Sequence, residues 1–274
     1  MMMKTQRHQQ ILILLLTSFL VLTGCSSSEE LSFQKAAEKQ ANKEYSEALV
    51  LYEQLIAKDP KNKIGLQATR EAAKICYFET KNYQQAAKFY KSLILFSEDQ
   101  KERLDSQEKI AAIYFDHLTD YSLSILEINR LLGMQLDAGR KVEYRIKLAR
   151  AYFYLNNFFQ SESEVRELLK NNISSEQKLD LLILLGNIFL ARKDLNSAAA
   201  QFREIVSLYP EKAHQDNIGL SLAVCYEELK DYGNAIKILE SIKNKHAFPE
   251  YIQLRIKRLQ ERQKNQPGAR GLRK

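Results

Sequence analysis

The stretch Asp194-Leu195-Asn196-Ser197-Ala198-Ala199-Ala200-Gln201-Phe202 decides the reading of this chain. A polar turn runs into an apolar anchor, a small residue follows three positions later, and a large apolar residue four after that. The same figure stands at Lys43-Glu44-Tyr45 with Ala48 and Tyr52, and at Asn82-Tyr83 with Ala86 and Tyr90. It returns at Asp120-Tyr121 with Ser124 and Ile128, at Asn157-Phe158 with Ser161 and Val165, and at Asp231-Tyr232 with Ala235 and Leu239. The six anchors Tyr45, Tyr83, Tyr121, Phe158, Leu195 and Tyr232 are spaced 38, 38, 37, 37 and 37 residues apart. A constant interval of this size marks a repeat architecture, in which each unit buries its apolar face only against its neighbours.

Upstream of each anchor lies a second amphipathic segment. Nine residues before the anchors stand Ala36, Lys74, Ala112, Ala149, Gly186 and Ala223, with Lys74 the departure and Ala72 and Ala73 beside it. Three residues later come Tyr77, Phe115, Tyr152, Phe189 and Tyr226, with Lys39 the exception. Leu182, Leu185, Gly186 and Phe189 recur at helical spacing. Each unit is therefore predicted as helix A, a short polar turn and helix B, with small residues where the two helices approach.

This constellation resembles the tetratricopeptide repeat. The fifth unit carries nearly the whole pattern in Leu185-Gly186, Phe189, Leu195, Ala198, Phe202 and Pro210, and the first closes with Asp59-Pro60. The resemblance spans about residues 30–247 and implies an all-α, right-handed superhelical solenoid of about six helical hairpins. The units are longer than the family's usual repeat, which predicts extended helices or longer loops. After the sixth unit, Pro249-Glu250 suits a first helical turn. Ile252, Ile256 and Leu259 share one face, so this segment is expected to cap the array, with Asn265-Gln266-Pro267-Gly268 as its stop.

The chain opens with Lys4, Arg7 and no acid, followed by an apolar run from Ile11 to Leu22. The run is shorter than the roughly 20 residues that span a bilayer and has the build of a signal peptide. It ends in Leu22-Thr23-Gly24-Cys25, which resembles the lipobox of bacterial lipoprotein precursors. That resemblance implies cleavage before Cys25, a covalent diacylglycerol and acyl chain such as palmitate on that residue, and membrane attachment through it. The expected division is 1–24 signal peptide, 25–31 lipidated Cys25 and tether, 32–264 solenoid with capping helix, and 265–274 basic disordered tail. Ser26 after the cysteine resembles the pattern of lipoproteins sent to the outer membrane, facing the periplasm; the outer face of the cytoplasmic membrane is the alternative.

The formal charge of +7 is local: from Arg255 onward eight basic residues face one acid, Glu261. A basic tail suits anionic lipid head groups or cell-wall polymer, or is a solvated end, and nucleic acid is not an expected partner. No small-molecule substrate, metal or non-covalent cofactor is expected. His8, His117, His214 and His246 stand at no metal-ligand spacing, and no glycine-rich phosphate loop occurs. Cys76 and Cys225 are expected as small buried thiols.

The expected role is therefore a non-catalytic interaction scaffold. In the tetratricopeptide family the A helices line a concave surface. Carried over, its residues are Phe33, Ile75, Phe78, Ile113, Ile146, Arg150, Phe153, Ile183, Asn187, Leu190, Leu220 and Val224, flanked by Lys109, His117 and Tyr154. Two readings stand: an open groove for a partner's helix or extended segment, or a face closed into core. Arg150 and Asn187 together are candidates to hold a partner carboxylate or backbone group. A lipid-anchored repeat protein resembles the lipoprotein of the β-barrel outer-membrane assembly machine and the six-repeat pilotin lipoproteins that help secretins. Envelope proteins are the implied partners; a periplasmic accessory binding cell-wall polymer or a cell-wall enzyme is the alternative.

Overall fold

The structure, a computed structural model, describes residues 28–266, and among them every regular element is helical. The predicted signal peptide, Cys25 and residues 267–274 of the predicted tail lie outside the described residues. The helices are α1 Ser28–Ala41, α2 Tyr45–Lys58, α3 Lys63–Lys74, α4 Tyr83–Phe96, α5 Gln100–Ala112, α6 Tyr121–Leu132 and α7 Ala138–Tyr154. They continue with α8 Phe158–Leu169, α9 Ser175–Ala191, α10 Leu195–Leu208, α11 Pro210–Gln215, α12 Ile218–Glu228, α13 Tyr232–Lys243 and α14 Pro249–Lys264. Every predicted anchor is the first residue of a B helix. The chain divides into two compact units, one ending at Ile113 and one beginning at Tyr114.

One left-handed position recurs in every turn from helix A to helix B. Lys43, Lys81, Thr119, Asn156, Lys193 and Lys230, each two residues before an anchor, hold φ between 50° and 62°. In four of the turns the next amide donates back five residues and closes helix A, from Glu44 to the Lys39 carbonyl and from Asp194 to that of Phe189 at 2.9 Å, and from Asn157 to Tyr152 and Asp231 to Tyr226 at 2.8 Å. That next residue also caps helix B. The side chains of Asn82, Asp120, Asp194 and Asp231 accept hydrogen bonds from the amides of Gln85, Leu123, Ser197 and Asn234. One polar tripeptide thus ends one helix and starts the next.

The two 38-residue intervals have a specific origin. In the second and third repeats helix A ends in a π turn, π1 Ile75–Glu79 and π2 Ile113–His117. The A helices of the 37-residue intervals, α7, α9 and α12, run without one. A π turn accommodates one inserted residue inside a helix. It also shifts the register: the buried small residue lies ten positions before the anchor in these two repeats, at Ala73 and Ala111, and nine before it elsewhere. Lys74, the exception in the sequence pattern, is exposed because the small position is its neighbour.

In the first unit, helices α1 to α5 pack in chain order, each on the next. Tyr52 is fully buried, and its hydroxyl donates to Gln40 Oε1 at 2.7 Å. Residues 28–31, expected in the tether, belong instead to α1. Acidic side chains favour a helix N-terminus, and Glu29 there accepts from Lys58 Nζ at 2.7 Å and from the Asn62 amide at 3.3 Å.

In the second unit, α6 to α10 and then α12 to α14 also pack in succession. Gly186 faces Phe202: a Cβ at 186 would stand 2.5 Å from the ring. The added length between α10 and α12 forms the short helix α11, which buries Ala213. Beyond the sixth hairpin, α14 lays Ile252, Ile256 and Leu259 against Ala223, Ala235 and Leu239. Gln266, within the stretch expected as a free tail, donates its side-chain amide to the Lys230 carbonyl at 2.8 Å.

Candidate functional site

The first unit presents an open pocket of about 410 Å³ between α3 and α5. Phe78 on π1 forms its exposed edge, 55 % accessible, with Tyr90 and Leu93 of α4 and Ser106 of α5 among the other lining residues. Lys109 of α5 sets its ammonium 4.8 Å from the Tyr77 ring centroid and 5.4 Å from that of Phe78, a cation–π contact with both. One wall is an ion pair in which Arg70 donates to Glu102, with Nη2 to Oε2 at 2.8 Å; Ser97 Oγ adds a hydrogen bond at 2.6 Å. Arg70 holds the Glu102 carboxyl below its ordinary value, against the opposing effect of burial.

In the second unit a cleft of about 500 Å³ separates α7 from α9, lined by Ile146, Lys147 and Arg150 on one side and by Ser174, Gln177 and Asp180 on the other. Arg150 Nη2 donates to Asp180 Oδ2 at 3.0 Å across it. Arg150 is thus engaged within the fold rather than paired with Asn187. The Asn187 side-chain amide makes no hydrogen bond among the described residues and, with Ile183 and Leu190, forms a half-buried stripe on α9. Leu220 and Val224 form a similar stripe on α12. Phe153 is half-buried, with its ring 5.8 Å from that of Phe158.

Three expected groove positions belong to the interior. Ile75 and Ile113 are 1 % and 0 % exposed, because the π turn rotates them onto the face that Ala151, Ile188 and Cys225 fill in the straight helices. Ile146 is 8 % exposed and joins the cluster of Ala149, Leu168 and Leu181. Phe33 is half-buried and packs its ring 5.5 Å from Tyr52. Tyr154 is exposed and stacks on Tyr121 at 4.6 Å. The pattern missed Tyr251, Leu254, Arg258 and Arg262 of α14, because no turn anchor follows that helix. Their spacing along one side of a helix was the available signal.

Cys76 and Cys225 are free and buried, and burial pushes each thiol up to about 11, which leaves them protonated packing groups. Among the described residues no three His, Cys, Asp or Glu side chains converge as a metal site, and no helix is long and apolar enough to cross a membrane.

Models of the tetratricopeptide repeat match residues 146–213 and 219–247, so those stretches are tetratricopeptide repeats. Solved structures agree on the fold. A tetratricopeptide repeat protein from Parabacteroides merdae superposes with a TM-score of 0.51 at 16% identity, covering 86% of this chain and 88% of that one. PilW, a widely conserved type IV pilus biogenesis factor, gives a TM-score of 0.52 at 14% identity, covering 85% of this chain and 100% of that one. A structure of Naa15/Naa10 bound to HypK-THB gives 0.56 at 17% identity, covering 86% of this chain and 40% of that one. No curated protein matches.

Proposed function

We propose that this protein is a non-catalytic scaffold that binds other envelope proteins through the A-helix faces of its repeats. In this reading it is held at the periplasmic side of the outer membrane by lipid on Cys25 and aids assembly of outer-membrane proteins or a secretin. The observation that carries it is the half-buried stripe of Ile183, Asn187, Leu190, Leu220 and Val224 along α9 and α12. Apolar side chains at helical spacing, left partly open beside an unpaired amide, fit a partner's helix or extended segment. The lipobox-like Leu22-Thr23-Gly24-Cys25 supports the anchor. PilW shares the fold and is a pilus biogenesis factor, which keeps the secretin branch in view.

Crosslinking in intact cells followed by purification from native membranes tests the scaffold role. Wild type should capture a defined set of envelope proteins, and Asn187→Arg with Val224→Arg should lose it while remaining folded; an unchanged set overturns the assignment. Depletion separates the branches: general loss of barrel proteins indicates barrel assembly, and selective loss of one secretin indicates the other. The anchor is tested by Cys25→Ser, which should leave the membrane fraction and lose acyl label.

A further inference from the structure

The apolar stripe on α12 leads to a charged cleft. Leu220, Val224 and Glu227 recur at i, i+4 and i+7, so one side of the helix carries them all. Glu227 Oε1 accepts from Arg255 Nε of α14 at 2.6 Å, and the two side chains are 17% and 19% exposed. This recessed pair joins the helices and borders a cleft of about 170 Å³.

Tyr251, Leu254, Arg258 and Arg262 line the cleft from α14. Tyr251 and Leu254 stay 54% and 48% exposed. The acid that lines the cleft, Glu227, is taken by Arg255, and neither Arg258 nor Arg262 has a carboxylate partner among the described residues. Along α14 Arg255, Lys257, Arg258, Arg262 and Lys264 face only Glu250 and Glu261. Two guanidinium groups beside open apolar side chains, with no carboxylate bonded to them among the described residues, complement a chain that bears carboxylates among apolar residues.

We infer that this end of the A-helix face seats an acidic segment of a partner protein, its apolar side chains on Leu220, Val224 and Leu254 and its carboxylates on Arg258 and Arg262. The inference rests on the scaffold reading and specifies the partner's chemistry. A bilayer surface, flat on this scale, would touch only the outermost side chains, whereas a polypeptide can enter a cleft between two helices.

The test uses the full chain with Cys25→Ser, so that lipid anchoring does not contribute. Its probes are fluorescent amphipathic peptides with leucines at i, i+3 and i+4 and with either glutamate or glutamine elsewhere. Wild type should bind the glutamate peptide at least about tenfold more tightly than the glutamine peptide. Arg258→Glu with Arg262→Glu should abolish that preference and leave glutamine-peptide binding intact; both side chains are exposed, outside the buried core of α14. Equal affinity for the two peptides in wild type, or a glutamate preference that survives the double substitution, overturns this inference alone. Absence of binding to either peptide overturns it together with the scaffold reading. Arginine-dependent binding to phosphatidylglycerol vesicles without any peptide preference overturns it in favour of a lipid surface.

Discussion

The second and third repeats differ from the fourth to sixth by one residue, and that residue is absorbed inside helix A rather than in a loop. Loops usually take insertions, because a shift within a helix rotates every later side chain by about 100°. Here the turn that follows is rigidly specified by a left-handed residue and a capping Asn or Asp, so the helix yields and forms π1 and π2. Ile75 and Ile113 turn inward, and Phe78 stands out beneath Lys109. The first unit accordingly offers an aromatic pocket rimmed by charge, and the straight helices of the second offer an apolar stripe. A single inserted residue therefore changes what a repeat presents.

Single-residue deletions should separate the two kinds of repeat by the largest margin. Removing Cys76 should convert π1 to an ordinary α turn, give a 37-residue interval and retain cooperative unfolding. Removing Ile188 from the straight α9 should cost more than about 3 kcal/mol, as loss of a fully buried large side chain and of register together. Thermal melts followed by circular dichroism decide it, and equal damage from both deletions would contradict the account of the π turn.

The register shift makes a finer distinction at neighbouring alanines. Ala111 is buried and Ala112 only half-buried, so Ala111→Leu should destabilise by about 1–3 kcal/mol through overpacking and Ala112→Leu by less. Urea titrations measure both. The reverse order would return the small position to nine residues before the anchor.

The charged wall of the first unit has a pH signature that the apolar stripe lacks. Glu102 is held below the ordinary carboxyl value of 4.5 chiefly by its hydrogen bond from Arg70, so its stabilisation is present above that value and lost as the pH falls through the lower folded one. Glu102→Gln should remove that part of the acid dependence and cost about 1–3 kcal/mol at neutral pH, by stripping Arg70 of its partner. Unfolding free energies measured from neutral pH to below 4.5 check the sign.

The turn shared by both kinds of repeat should respond alike in each. Lys81→Gly and Lys193→Gly place a residue without a Cβ at φ 53° and 62°, and each should raise stability by about 0.5–1 kcal/mol. A gain in only one of the two would show that the turns are not equivalent.

Most of the hairpin order was legible because its causes are local. Anchor, small residue and large apolar residue follow helical spacing, and the polar residues before each anchor specify the turn. The site was legible only in part. Ile183, Asn187, Leu190, Leu220 and Val224 lie in straight helices and are half-buried, with Ile183 and Leu190 packed against the core around Leu222 and Cys225. Ile75 and Ile113 were misplaced because one extra residue shows in the spacing but not in its location. Arg150 was misassigned because its partner, Asp180, sits on another helix thirty positions away.

The repeat and the turn that punctuates it were already written in the sequence, since each depends on residues only a few positions apart. Tertiary structure decided which side chains remain open: the π turns that reorient the ends of α3 and α5, the capture of Arg150 by Asp180, and the cleft where Glu227 takes Arg255 and leaves Arg258 and Arg262 unpaired. The physical reason is that burial and charge pairing are settled between helices, by contacts whose partners no local pattern names.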